Sequence, residues 1–142
     1  MKPRIDFYKL NGQNRTSINR FCCQLTDKVV KMGHSVFIRT KDAGEAQRMD
    51  DMLWTYSDSS FLPHAIQGDE DDFDVPVIIG HTDSGSTDYL LINMSDDIPE
   101  NLDHYQRVAE IIDDTPDTLQ KGRARYSSYR KEEYTLHYHE IA

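Results

Sequence analysis

Val75-Pro76-Val77-Ile78-Ile79-Gly80 and Tyr89-Leu90-Leu91-Ile92-Asn93-Met94 decide the fold class of this chain. Each is a short, nearly continuous apolar run bounded by turn-formers; Asp83-Ser84-Gly85-Ser86-Thr87-Asp88 separates them. A strand with one wet face alternates polar and apolar side chains, whereas a strand covered on both faces is apolar throughout. Both runs therefore read as central strands of a sheet held between two other layers.

The segments on either side supply those layers. Ile5 to Leu10 reads as a first strand, and Asn11-Gly12-Gln13-Asn14 as a turn. Ile18, Phe21, Cys22, Leu25, Val29 and Met32 then share one helical face, with Thr16 or Ser17 as N-cap and Gly33 at the C-cap. Ser35 to Thr40 is a second strand, and Asp42 caps a helix through Ala46, Met49 and Leu53 that ends near Trp54. Residues 55–74 read as a long ordered loop followed by a mobile one, which carries the acidic run Asp69, Glu70, Asp71, Asp72 and Asp74. Tyr105 to Ile112 suits helix or strand and is read as strand. Thr115-Pro116 starts a helix that runs to about Lys131, and Tyr134 to Ile141 adds an edge strand. Strands alternating with amphipathic helices predict an α/β fold: a three-layer α/β/α sandwich with a mostly parallel sheet, residues 1–142 forming a single domain.

Composition narrows the function. The chain has 142 residues, a net charge of −9 and two adjacent cysteines, Cys22 and Cys23. An acidic chain of this kind does not attract duplex DNA over its whole surface. Adjacent thiols do not make a relaxed disulfide or a zinc site, and Cys22 on the apolar stripe reads as a buried, reduced thiol. No stretch approaches the roughly 18 apolar residues of a membrane span, and Met1-Lys2-Pro3-Arg4 is not followed by a signal-type apolar core, so the expected location is the cytoplasm.

Catalytic signatures are absent from the pattern. The first strand-to-helix turn lacks the spaced glycines of a dinucleotide site and the Gly-Lys-Ser/Thr of a phosphate loop, so the fold is nucleotide-binding-like without a phosphate loop. The acid pairs Asp50-Asp51, Asp71-Asp72, Asp96-Asp97 and Asp113-Asp114 are sequence neighbours, as chance supplies among 25 acids. His137 and His139 would share a strand face but lack a third ligand. No catalytic residue, metal or cofactor is expected.

Two features are unusual for a core. Trp54 leaves the apolar stripe of its helix and, with Phe61, brackets a loop that Pro63 stiffens. In the last helix Leu119, Arg123, Tyr126 and Arg130 form a basic and aromatic stripe, flanked by Gly122 and Tyr129, suited to an acidic peptide or a nucleic acid strand. Lys121, Arg125 and Arg130 read as outer charges that add long-range attraction.

Ile5-Asp6-Phe7-Tyr8, Leu53-Trp54, Phe61-Leu62-Pro63-His64, Leu91-Ile92-Asn93-Met94 and Arg123-Ala124-Arg125-Tyr126-Ser127-Ser128-Tyr129-Arg130 together resemble the chi subunit family of bacterial DNA polymerase III. The resemblance implies a non-catalytic accessory subunit of the clamp-loader assembly in DNA replication. It would pair with the psi subunit and bind the acidic C-terminal tail of single-stranded DNA-binding protein, touching DNA only indirectly. Trp54, Phe61, Pro63 and His64 match the psi-facing region. Arg123, Tyr126 and Arg130 match the tail-binding region, with Thr115 at its edge and Lys121 beside the position of a tail-contacting lysine. The acidic run from Asp69 to Asp74 is heavier than the family pattern. The rival readings are a degenerate nucleotide-dependent enzyme and a direct binder of single-stranded DNA.

Overall fold

The computed structural model of the chain describes residues 2–56, 62–68, 75–82 and 88–141. Among the described residues seven strands form one sheet: β1 (Arg4–Leu10), β2 (Val36–Arg39), β3 (His64–Ile66), β4 (Val77–Gly80), β5 (Leu90–Asn93), β6 (Arg107–Ile112) and β7 (Leu136–Ile141). Their order is β3-β4-β2-β5-β6-β1-β7, and every pairing is parallel. Helices α1 (Arg15–Lys31) and α2 (Ala43–Thr55) cover one face, and α3 (Pro116–Lys131) covers the other with a 3-10 turn at Leu102–His104. The expected three layers are present, and the sheet is wholly rather than mostly parallel.

Crossover handedness accounts for the layering. The chain moves across the sheet in one direction from β1 through β2 to β3, and in the other from β6 to β7. Right-handed crossovers made in opposite directions place their helices on opposite faces. The two deciding runs behave as read: every residue of β2, β4 and β5 is buried. Val36, Ile38, Val77, Ile79, Leu90 and Ile92 pack toward α1 and α2, while Phe37, Ile78 and Leu91 pack toward α3.

Strands β2, β6 and β7 are one or two residues shorter at their ends than read, and two local readings are corrected outright. The N-cap of α1 is Asn14, whose side chain accepts from the Thr16 amide at 2.9 Å, so neither Thr16 nor Ser17 caps it. Strand β3 lies inside the segment read as a loop; three residues are too few to show a period of two. The acidic run and the mobile part expected around it lie outside the described residues. Asp42 caps α2 through the Glu45 amide, and Gly33, at φ +87°, follows α1 in the left-handed region that glycine adopts freely.

Helix α3 meets the sheet through polar groups. Glu110 on β6 has no exposed surface; it accepts bonds from Arg125 Nε at 2.9 Å, Tyr129 Oη at 2.8 Å and Asn93 Nδ2 at 2.8 Å. Arg125 also donates to the Asp96 carbonyl at 3.0 Å. Burial pushes the Glu110 carboxyl up, against the pull of Arg125. Arg125 is 7% exposed, which corrects its reading as an outer steering charge. Gly122, Arg125 and Tyr129 form the inward face of α3, and with little apolar pattern on that face the helix hides its orientation in sequence.

A second cluster ties the edge strand. Asp6 on β1, 1% exposed, accepts from Arg4 Nε, from Arg107 at 2.8 Å and from His139 Nε2 on β7 at 2.8 Å. Burial opposes ionisation of Asp6, but the bonds from His139, Arg107 and Arg4 outweigh it and hold the carboxyl below its ordinary value.

Arg125→Ala strands Glu110 without its cation, and breaking a buried pair costs about 3–5 kcal/mol, so denaturant unfolding should show a loss of that order. A loss under about 1 kcal/mol would mean that Glu110 is folded as a neutral acid. Asp6 should stabilise the fold fully above about pH 4, its contribution fading as pH falls through its lowered folded value. Unfolding measured across that range should show a flatter acid limb for Asp6→Asn than for wild type; parallel limbs would contradict the assignment.

Candidate functional site

Strands β1 and β6 are neighbours whose following helices lie on opposite faces. In open α/β sheets the crevice beyond such a pair is the usual ligand site. Here it is filled from within. The Gly12 amide donates to Asp114 Oδ2 at 2.8 Å, and the Asn14 and Thr115 amides donate to Asp113 at 3.1 and 2.9 Å. Lys9 Nζ lies 2.7 Å from Asp114 Oδ1. The bond from Lys9, then that from the Gly12 amide, lowers the Asp114 carboxyl. Amides and a lysine that could cradle a phosphate are thus already engaged by carboxylates.

A second opening lies beside α3, over β1 and β7. It is a cavity of about 330 Å³ whose lining includes Phe7, Leu119, Gly122, Arg123, Tyr126 and Tyr138. Tyr126 packs edge-on against Phe7, with ring centroids 5.1 Å apart. Gly122 sets the depth, because a Cβ there would stand 2.6 Å from Ile112 Cγ2. Helix and sheet therefore approach closely at this point, and the outer flank of α3 leans over β7. Tyr138 is half exposed, and Arg123 is exposed with no ion-pair partner among the described residues.

Of the residues read from sequence, this groove unites Arg123 and Tyr126. Arg130 is exposed one turn further along but is not in the lining. Lys121 faces the other flank, 3.2 Å from both Asp96 and Asp117, and Thr115 stands at the start of α3 outside the lining. Phe7, Lys9 and Tyr138 were not anticipated. They arrive through the parallel register that sets Phe7 beside Tyr138; the only trace in sequence is the alternation of Leu136 and Tyr138.

The second surface lies at the end of α2. Trp54 is 59% exposed, its ring 4.7 Å from that of His64. The His64 side chain is 1% exposed: Nδ1 donates to the Leu62 carbonyl at 2.6 Å, and Nε2 faces Asp50 at 3.3 Å. His64 therefore supports Trp54 from beneath while Trp54 meets solvent. Pro63 is half-buried beside them, and Phe61 lies outside the described residues. This surface and the groove sit at opposite edges and on opposite faces of the sheet. Six strand spacings separate β3 from β7, roughly 29 Å.

Nothing in these surfaces collects metal ligands: among the described residues no three His, Cys, Asp or Glu side chains converge. Cys22 and Cys23 are buried, and burial pushes both thiols up, Cys23 to about 12. Among the described residues no helix is long and apolar enough to cross a membrane.

Comparison with known proteins identifies the family. Residues 1–137 match the family described as DNA polymerase III chi subunit, HolC. The chain is 28% identical over 139 residues to the DNA polymerase III subunit chi of Pseudomonas aeruginosa, covering 97% of this chain and 96% of that protein. The subunits of the same name from Haemophilus influenzae and Escherichia coli are 23% and 24% identical, each alignment covering at least 92% of both chains. Among solved structures, T4 UvsW superposes with a TM-score of 0.66 at 12% identity, over 97% of this chain and 41% of that one, a likeness of fold. With the family model matching nearly the whole chain, the chain belongs to the DNA polymerase III chi subunit family, an accessory part of the polymerase in DNA replication.

Proposed function

We propose that this chain is a non-catalytic bridge in the cytoplasmic replication machinery. The Trp54 surface, with Phe61, Pro63 and the supporting His64, meets the psi subunit of the clamp loader. The groove under Arg123 and Tyr126 receives the acidic C-terminal tail of single-stranded DNA-binding protein. DNA is reached only through that protein.

The carrying observation is the groove. At about 330 Å³ it lies near the lower limit of ligand pockets, suited to one aromatic side chain and its carboxylate rather than to a cofactor. An unpaired guanidinium at its rim can donate two parallel bonds to a terminal carboxylate. Placement of the second surface on the far edge and face lets both partners bind at once. The rival enzyme reading is disfavoured by the carboxylates that already occupy the strand-end amides. The net charge of −9 disfavours a direct grip on single-stranded DNA.

Arg123→Ala should weaken binding of an acidic peptide ending in a free aromatic residue by about ten- to a hundredfold, since charged bonds contribute ~1.5–3 kcal/mol. Lysine at position 123 should rescue it only in part. Fluorescence titration with circular dichroism as a folding control measures this, and undiminished affinity in folded Arg123→Ala would discard the groove as the tail site. Trp54→Ala should cost about 2 kcal/mol of psi affinity while leaving the melting temperature nearly unchanged, because the ring is mostly exposed. A large drop in melting temperature with normal psi affinity would make Trp54 a packing residue instead.

A further inference from the structure

We propose that a tail seated in the groove continues upstream as an eighth, parallel strand on the open edge of β7. This inference rests on the groove being the tail site. Among the described residues β7 pairs with β1 alone. In a parallel pair, successive residues of a strand turn their amide and carbonyl alternately to one neighbour and to the other. The Thr135 carbonyl accepts from the Ile5 amide at 3.0 Å, so His137 and His139 face β1 in turn. Leu136, Tyr138 and Glu140 then direct their amides and carbonyls outward, away from the sheet.

Among the devices that blunt an edge, β7 carries one carboxylate, the exposed Glu140 near its C-terminal end. Natural edge strands are blunted by proline, lysine, bulges or brevity. Residues Leu136 to Ile141 contain neither proline nor lysine and run six residues in unbroken register with β1. The strand that offers these groups is also the strand whose Tyr138 ring lines the groove.

Charge selects the occupant and its direction. On the α1 side, Arg4, Arg107 and His139 converge on the single carboxylate of Asp6, which leaves two guanidinium charges against one carboxylate. On the α3 side, exposed Arg123 lines the groove together with Tyr138 of that strand, and Arg130 is exposed further along the helix. Glu140 and Asp114 stand at the C-terminal end of β7. Lys9 offsets Asp114 at that end, and Glu132 and Glu133 precede the strand at the other, so the surplus of Arg4 and Arg107 over Asp6 is what favours an acidic strand along the N-terminal half. With its terminal carboxylate at Arg123, its upstream residues lie toward Leu136 and Arg130, which makes it parallel to β7 and to the whole sheet.

The test titrates a tetrapeptide and a decapeptide, both polyaspartate ending in phenylalanine with a free carboxylate, into the full chain at fixed salt. The decapeptide should bind about tenfold tighter, from two or three added edge bonds. Methylating its alternate upstream amides leaves its charge intact and should remove that gain in one of the two phases of methylation. Tyr138→Pro deletes an outward amide, which an edge strand tolerates. It should weaken the decapeptide more than Tyr138→Ala does, while the two variants bind the tetrapeptide alike. Should Tyr138→Pro fail to fold, the methylated peptides carry the test with wild-type protein. A decapeptide indifferent to methylation in both phases overturns the strand addition while leaving the groove standing. Failure of wild type to bind either peptide overturns the groove reading as well. A dimer in sedimentation that Tyr138→Pro dissociates would assign the edge to a second copy and overturn the proposal.

Discussion

A carboxylate with no exposed surface, Glu110, stands in the middle of β6 and faces α3. Left alone, such a charge is too poorly solvated to persist, so its neighbours must supply what water cannot. Arg125 and Tyr129 reach it from α3, and Asn93 reaches it from β5. The three donors fix the rotation of α3 about its axis more tightly than greasy packing could, because a hydrogen bond is directional and dispersion is not. Once Arg125 and Tyr129 point inward, Arg123 and Tyr126 must point toward the β7 flank. The groove is a consequence of that rotation, and Gly122 sets how near the helix lies to Ile112.

The same economy appears where the sheet changes direction. Crossovers of one hand send α1 and α2 to one face and α3 to the other. This arrangement creates the crevice beyond β1 and β6 in which related architectures hold nucleotides. In this chain Asp113 and Asp114 fill it, tying the first turn to the start of α3. Beyond that internally bonded crevice, the two far edges, β3 with α2 and β7 with α3, present different chemistry. One edge offers an indole braced by a buried imidazole; the other offers a guanidinium over an aromatic pocket. The two surfaces are thereby kept apart, on opposite edges and opposite faces of the sheet.

What the sequence determined by itself was the layered α/β architecture and the exposure of Trp54. Continuous apolar runs such as Val77-Ile78-Ile79 require cover on both faces, a demand that local composition expresses without reference to the rest of the chain. The capping residue Asp42, the proline at the start of α3 and the escape of Trp54 from its stripe are equally local. The basic and aromatic character of the last helix was legible as a poor core composition, but it did not show which of its arginines lies outside.

Only the tertiary structure decided which arginine of the last helix is outside and which is inside. Arg123 and Arg125 are two residues apart and chemically identical, and a helix with little apolar pattern gives no phase from which to tell them apart. The phase comes from Glu110, whose partnership with Arg125 spans 15 residues of chain, and it was invisible until β6 and α3 were placed together. Strand β3 was likewise too short to announce itself, and exists because β4 offers it an edge. Phe7, Lys9 and Tyr138 reach the groove through the register of β1 and β7, a relation between segments more than a hundred residues apart in sequence. Periodicity reports the face a residue turns to the rest of the protein; which partner meets it there depends on contacts between distant segments, and those exist only in the folded chain.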